Sequence, residues 1–352
     1  MTPSSVTAFA PATVGNVVCG FDVLGLALDE PGDRVTAVRR DEPGVDIVRI
    51  RGDDGRIPRE ADRNSAGVAA AALLERHDLK EGVGIDLEKG LPLSGGMGGS
   101  AASAVAAVVA VNALLDLGAD DSILLECALE GEKVASGSAH ADNVAPCLMG
   151  GIVLVRRGAR RPAVSIHVPP GLSVALLHPR VEVATRDARA VLPEAVPLGD
   201  AITQWGNTAA LVAGLYREDL ELIADALVDR VAEPARSGQV PGFEAVRRAA
   251  MEAGAVGFGI SGAGPSMMAL CGSVEGARTV GAAMEGAFVQ KAISGAGEAE
   301  LFVSPVSIGG ARVLDSDGRG GFAAPEVSRR SVETGDSVET GGAMGSGEQD
   351  AR

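Results

Sequence analysis

The sequence has no uninterrupted apolar run of about 18 residues, the length a membrane-crossing helix needs. Its longest candidate, Ala101 to Leu115, is shorter and is broken by Ser103 and Asn112. Cysteine is scarce. Cys19, Cys127, Cys147 and Cys271 are too scattered for metal-ligand spacing, so they are expected to be reduced core residues in a cytoplasm. Lysine is rarer than arginine, and the formal net charge is -16. An acidic surface argues against a nucleic-acid partner or an anionic membrane. It also means that a polyanionic ligand needs a local device to overcome the global field. The acidity fits a high-salt cytoplasm as well as an ordinary acidic enzyme. The opening MTPSSVTAFAPATVG has no basic residues ahead of an apolar run, so a signal peptide is not expected there.

What is present is a globular chain of 352 residues, 46% hydrophobic, long enough for two ordinary domains with sizeable cores. VTAFAPATVG reads as a strand. RVTAVRR and VDIVRI read as two strands of a hairpin joined by DEPG. Asn64 is placed as the N-cap of a helix, NSAGVAAAALLERH. GVGIDLEKGLPLS is a strand leading into glycines, and an Ala-rich helix starts near Ser100. Asp120 and Asp121 cap the next helix, which Gly137 ends. The second half reads as strand LSVALLHP, three helical stretches, a strand–glycine loop–strand unit around GISGAGPS, a helix and the strand AELFVSPV. Strands and helices alternate without a regular βαβα rhythm, which favours an α+β fold. The chain beyond about residue 311 turns to Gly, Ser and charge and reads as a disordered tail, 311–352.

The stretch PLSGGMGGSAASAVAAV, from Pro92, carries the chemistry. A phosphate loop of the Gly-Lys-Ser type is excluded, because the loop has no lysine. Gly96-Met97-Gly98-Gly99-Ser100-Ala101 fits G-x-G-x-x-A, but Asp116 at the required distance ends a helix rather than a second strand. A tight strand-to-helix turn is one reading. An anion site is the other: free N–H groups and the dipole at a helix N-terminus attract negative charge, and Ser100 adds a hydroxyl there.

Helical spacing from Asp121 to Ala135 puts Glu126, Glu130 and Lys133 on one side and Glu132 opposite, among Leu125, Ala128 and Leu129. A carboxylate on an apolar stripe needs a partner. That partner is an arginine or a magnesium ion held together with phosphates. GSAHADNVAPCLMGG places His140, Asp142 and Asn143 in a loop between a helix and a strand. They either bind or merely cap and turn the chain. GISGAGPS alone is compatible with a simple hairpin turn.

Taken together, three blocks resemble the motifs of the GHMP small-molecule kinases: APATVGNVVCGFDVLGLAL, PLSGGMGGSAASAVAAV and GISGAGPSMMAL. Within that family GNVVCGFDVLGLAL, HADNVAPCLMGG, TRDARAVLP and VPGF resemble the homoserine kinases, over about residues 5 to 308. The resemblance implies a two-domain α+β fold. An N-terminal domain of the ribosomal-S5-domain-2 type spans 1–165, and a ferredoxin-like domain spans 166–310. It implies transfer of the γ-phosphoryl group of ATP to the hydroxyl of L-homoserine in threonine biosynthesis, with Mg2+, by a cytoplasmic homodimer.

It also implies roles for residues. ATP lies along Pro92, Ser94, Gly95, Gly96, Met97, Gly98, Gly99, Ser100 and Ala101, with Asn64 at the adenine and Ser100 and Glu132 as magnesium ligands. Asn16, Asp22, Arg189, Arg236, Gly262 and Gly264 surround the amino acid, and His140, Asp142 and Asn143 stand at the chemistry. Whether a base removes the hydroxyl proton stays open. Met97 and Gly99 depart from the usual Gly-Leu-Gly-Ser-Ser, and Gly99 removes a hydroxyl from the loop. The rivals are another hydroxyl acceptor, such as mevalonate or a sugar, and a non-catalytic nucleotide-binding protein.

Overall fold

A computed structural model of the chain describes residues 3–181, 185–291 and 298–315. In chain order the strands and helices are β1 (Ser5–Gly15), β2 (Leu24–Arg40), β3 (Gly44–Arg51), α1 (Ser65–Arg76), β4 (Gly82–Glu88), α2 (Gly99–Leu115) and α3 (Asp121–Ser136). Then come α4 (Ala141–Met149), β5 (Ile152–Val155), β6 (Ala163–Ile166), β7 (Ser173–Pro179), α5 (Thr185–Ala190), α6 (Leu198–Arg217) and α7 (Leu220–Ala226). The last are α8 (Glu233–Arg236), α9 (Phe243–Glu252), β8 (Gly257–Ile260), β9 (Met267–Cys271), α10 (Val274–Lys291), β10 (Ala299–Pro305) and β11 (Arg312–Leu314).

Two sheets organise them. The first runs β11-β1-β2-β4-β3, with β5 on β2 and β6 on β5. The second is antiparallel, in the order β10-β7-β9-β8. Its chain order is strand, helices, two strands, helix, strand, which is the ferredoxin-like arrangement. The expected hairpin of β2 with β3 does not form. β4 lies between them, antiparallel to β2 and parallel to β3. The burial patterns give the reason: β4 is buried along most of its length and suits the centre, whereas β3 is largely exposed and suits an edge.

Helix α2 packs against β1 and β2 and against α1 and α3, which also pack on each other. It is apolar on every side, as a helix enclosed by other elements must be. Eleven of its residues are buried. Small Ala side chains let its neighbours approach closely. At Gly131 of α3 an added Cβ would lie 3.1 Å from Ala104 Cβ of α2 and 2.3 Å from the Ser65 carbonyl of α1. The caps stand where the sequence places them. The Asn64 side chain accepts from the N–H groups of Ala66 and Gly67, and Asp120 accepts from Ile123.

Several expectations need correction. Asp142 and Asn143 are not in a loop: they form the first turn of α4, with His140 at its N-cap. Pro146 inside the segment reads as a helix breaker. Here the carbonyl that such a proline leaves unpaired, that of Asp142, lies beside Gly25 of β2, where a Cβ would come within 1.7 Å of it. Arg189 lies in α5 rather than in a loop after a strand. The boundary at 165/166 falls inside β6, a strand of the first sheet. The segment from 311 begins with a strand, not a tail, because β11 pairs antiparallel with β1 through Thr7, Ala8 and Phe9. The remainder of the expected tail, 316–352, lies outside the described residues. All four cysteines are buried and unpaired. Among the described residues no helix is long and apolar enough to cross a membrane.

Candidate active site

A cavity of about 530 Å³ opens beside the N-terminus of α2. At one end is the loop from Pro92 to Gly99. Ser94, Gly96 and Gly98 are left-handed, at φ 54°, 70° and 69°. Such alternation of handedness turns successive N–H groups toward one point and makes an anion-binding nest. The carbonyls of the same loop are held from outside. Gly95 accepts from Ser266 Oγ at 2.5 Å, Gly96 from Ser261 Oγ at 2.7 Å and Met97 from the Thr13 N–H at 3.1 Å. In a trans peptide the N–H points opposite to the C=O. Three anchored carbonyls therefore orient the N–H groups of Gly96, Met97 and Gly98. Glycine is obligatory at Gly96 and Gly98, where a Cβ would lie 2.5 Å from the Ser261 carbonyl and 2.1 Å from Thr13 Oγ1.

Below the loop lies a group that the sequence reading missed. Lys89 follows β4 and is buried. Its ammonium donates to Asp33, to the Gly99 carbonyl at 2.7 Å and to Ser103 Oγ at 2.9 Å. This lysine braces the loop from the preceding strand end, with all three of its donors taken by protein groups. It ties the first turn of α2 to β2. Lys89, Arg56 and Arg63 line the cavity near the loop, and Arg189 and Arg236 line its other end. The arginines are the local cations that an acidic protein needs in order to hold an anion, whereas Lys89 spends its three donors on Asp33, Gly99 and Ser103.

Glu132 reaches the cavity from α3 and is 3% exposed, as its place on the apolar stripe requires. Its Oε1 is 3.6 Å from His140 Nδ1, while Oε2 is buried with no hydrogen-bond partner. Burial pushes its carboxyl up to about 7, and the nearby hydroxyls of Ser100 and Ser136 oppose the shift. An orphaned carboxylate oxygen beside a serine hydroxyl, facing a phosphate nest, fits a divalent cation. Among the described residues no cluster of three or more His, Cys, Asp or Glu could hold a metal alone. The remaining ligands would be phosphate oxygens and water, as is usual for magnesium.

The other end of the cavity is built from side chains. Arg189 grips Asp22 in a two-point ion pair, Nη1 to Oδ1 at 3.1 Å and Nη2 to Oδ2 at 2.7 Å. Arg157 adds a third contact at 3.2 Å. Arg236 is 5% exposed and donates to the Ala188 and Gly262 carbonyls at 2.9 and 3.1 Å. Phe21, not anticipated from sequence, carries both guanidinium groups, whose carbons lie 5.8 and 5.4 Å from its ring centre.

Asp142 is buried and accepts from the Asn16 N–H at 3.2 Å. Burial, and then the Asp22 charge, push its carboxyl up to about 7. Burial pushes the His140 pKa down, and its Nε2 is 2.9 Å from Ser138 Oγ. Asn143 accepts from Thr13 Oγ1 at 2.8 Å. Gly15 has to be glycine because a Cβ would lie 2.7 Å from both Asp142 and Asn143.

The profile of the GHMP kinases N terminal domain matches residues 64–151, and that of the GHMP kinases C terminal domain matches 211–290. The homoserine kinase of Chlorobaculum tepidum is 45% identical over 322 residues, covering 89% of this chain and 99% of the relative. The homoserine kinase of Xylella fastidiosa is 42% identical over 313 residues, 89% of this chain and 95% of its own. The chain belongs to the homoserine kinases of the GHMP kinase family. Among solved structures, a homoserine kinase from Cytophaga hutchinsonii superposes with a TM-score of 0.84 at 47% identity, covering 89% of this chain and 98% of that one. The L. major mevalonate kinase, at 16% identity and TM-score 0.64, shares the fold.

Most residues that the family resemblance pointed to in this chain meet in one cavity: Asn16, Asp22, Pro92, Ser94, Gly95, Gly96, Gly98, Gly99, Ser100, Glu132, His140, Asp142, Asn143, Arg189, Arg236 and Gly262. Four stand behind its wall. Met97 and Ala101 are buried in the core. Gly264 closes the turn between β8 and β9 through its N–H to the Ser261 carbonyl. Asn64 is buried at the start of α1, accepting from Ala66 and Gly67 and donating one amide N–H to the Pro58 carbonyl at 2.8 Å. Asn16 is also mostly scaffold: its side chain joins the Asp22 N–H to the Gly262 carbonyl.

Proposed function

We infer that this GHMP kinase transfers the γ-phosphoryl group of ATP to the side-chain hydroxyl of L-homoserine, giving O-phospho-L-homoserine for threonine biosynthesis. The observation that carries the reading is the pairing of opposite chemistries in one cavity. A nest of backbone amides stands at one end, and an Asp22–Arg189 pair with a buried Arg236 stands at the other. An amino-acid zwitterion matches the second end, its carboxylate on Arg189 and Arg236 and its ammonium on Asp22. Mevalonate and sugars carry no ammonium for Asp22 to meet.

Phosphoryl transfer asks for positioning and neutralisation of charge more than for covalent help. The amides of Gly96, Met97 and Gly98 and the N-terminus of α2 would hold the phosphates. Ser100 and Glu132 would hold Mg2+, which neutralises charge on the phosphate oxygens when bound. Arg236, already oriented by two carbonyls, would fix the acceptor carboxylate without reorganising. Asp142 is better suited than His140 to take the hydroxyl proton. Its carboxyl is poised near neutral pH, whereas burial pushes the His140 pKa down and its Nε2 is engaged by Ser138. Asn143, held by Thr13, would fix the turn that presents Asp142.

The apolar side chains that α6 exposes, Leu198, Ile202 and Trp205, support the homodimer. The buried, unpaired cysteines support a reducing cytoplasm. A coupled ADP-release assay against a panel of hydroxyl acceptors tests the reading. Turnover with L-homoserine, and little with mevalonate, galactose or an alcohol lacking the amino-acid backbone, is the expected outcome. ADP release that no acceptor stimulates would refute it.

A further inference from the structure

The three donors that hold the nest are not equivalent. Thr13 uses a backbone N–H, whose direction the β1 strand sets. Ser266 uses a hydroxyl, which can rotate. Two groups lie within reach of that hydroxyl: the Gly95 carbonyl at 2.5 Å and His178 Nδ1 at 3.1 Å. The carbonyl can only accept, so the hydroxyl proton points at Gly95. His178 Nδ1 must then carry a proton and donate to Ser266 Oγ. The alternative tautomer, with a bare Nδ1, would draw the serine proton onto itself and leave the Gly95 carbonyl without its donor.

His178 lies in β7, paired on one side with β10 and on the other with β9. It is 5% exposed. Its ring also backs the loop directly, since a Cβ on Gly95 would sit 3.1 Å from His178 Cε1. A buried imidazole costs stability unless it is hydrogen-bonded, and an apolar side chain would fill the same space more cheaply. Ser266 is fully buried beside it. The polar relay from the second sheet to the glycine loop is therefore better explained by what it orients than by packing.

We propose that His178 is a positioning residue of the nucleotide site: by donating from Nδ1 to Ser266 it directs the serine proton onto the Gly95 carbonyl, and so aims the Gly96 N–H into the phosphate nest. This rests on the reading that the nest holds nucleotide phosphates. It also gives β7, far from the nest in sequence, a specific part in ATP binding. The acceptor end makes no use of the relay, so nucleotide and acceptor affinity should separate on its loss.

The test uses the full-length chain with His178→Leu, His178→Asn and Ser266→Ala. ADP affinity with magnesium chloride is read by calorimetry, KM for ATP and for L-homoserine by steady-state kinetics, and folding by thermal melts. Losing one orienting hydrogen bond is expected to weaken ADP binding and raise the ATP KM about fivefold in His178→Leu and Ser266→Ala. The homoserine KM should change less than twofold. Asn places an amide N–H near the position of Nδ1–H, so His178→Asn should recover most of the loss. Two results overturn the proposal: a folded His178→Leu or Ser266→Ala with wild-type ADP affinity, or a His178→Asn no better than His178→Leu. Should His178→Leu fail to fold, Ser266→Ala, which keeps the ring, decides alone. Failure of the kinase reading looks different: wild-type chain would then bind ADP without phosphorylating homoserine, or bind no ADP at all.

Discussion

The two ends of the cavity are made of different material. At the end proposed for the nucleotide the groups on offer are backbone amides, oriented by hydroxyl and N–H donors that grip the carbonyls behind them. At the end proposed for the acceptor they are charged side chains, oriented by one another and by the ring of Phe21. A backbone nest tolerates no side chain in its walls and depends on groups that never touch the ligand. A side-chain site depends on a few charges that do. Damage at one end should therefore appear as a conformational fault and at the other as a lost ionic contact. Between them stand Ser100 and Glu132, which belong to neither design.

Changes at that junction are expected to have the largest effect. Glu132→Gln keeps the shape and removes the charge, and should lower kcat on the order of a hundredfold, about 3 kcal/mol, as should Ser100→Ala. Steady-state assays across magnesium concentrations check this. Normal activity of Glu132→Gln at limiting magnesium would remove Glu132 from the site.

Next comes the nest. Gly96→Ala would force a Cβ against the Ser261 carbonyl at φ 70°, a cost of about 2 kcal/mol or roughly thirtyfold in nucleotide affinity. The homoserine KM should hardly move. An ADP titration that gives wild-type affinity would show that the loop geometry is not what binds the phosphates.

At the acceptor end the pattern should invert. Arg236→Ala loses one charge-assisted pair, about 1.5–3 kcal/mol, and should raise the homoserine KM tenfold or more with the ATP KM unchanged. Wild-type homoserine kinetics in both Arg236→Ala and Arg189→Ala would break the comparison at this end.

The smallest expected effect concerns the support of that arginine. Glu233, one turn before Arg236 in α8, has a buried Oε2 without a partner. Burial, Asp229 and Glu244 push its carboxyl from about 4.5 up to about 7, against Arg247. A carboxyl raised in the folded state binds its proton more tightly there than in the unfolded chain. Its contribution to stability is thus complete below about pH 4.5 and is lost as the pH rises through 7. Glu233→Gln should melt higher than wild type above pH 7, by a margin that shrinks toward pH 5. A margin independent of pH would show that ionisation of Glu233 is not the cause.

Much of this site was legible because its signals are local. Asn64 and Asp120 as caps, the Ala-rich helix and Glu132 on an apolar stripe follow from spacing of a few residues. The glycines announced a close approach, though not of what. The family blocks then pointed to residues as distant as Asn16 and Gly262. The failures are equally physical. His140, Asp142 and Asn143 read as a loop between a helix and a strand, whereas Asp142 and Asn143 open α4, a helix that contains Pro146 and packs so close to β2 that only glycine fits at Gly25. β2 and β3 read as a hairpin because nothing in a short linker says that β4 will come between them.

By itself the sequence determined the elements whose periods and caps are local, the absence of a loop lysine, and the charge balance that demands local cations. Only the tertiary structure decided that Lys89 sits under the first turn of α2, that Phe21 carries two arginines, and that His178 and Ser266 reach the loop from the second sheet. These contacts join residues as far apart as Phe21 and Arg236, and Gly95 and Ser266. Spacing along a chain carries no record of them, because they arise when separately folded faces are packed together, and that packing is where buried polar groups find their partners.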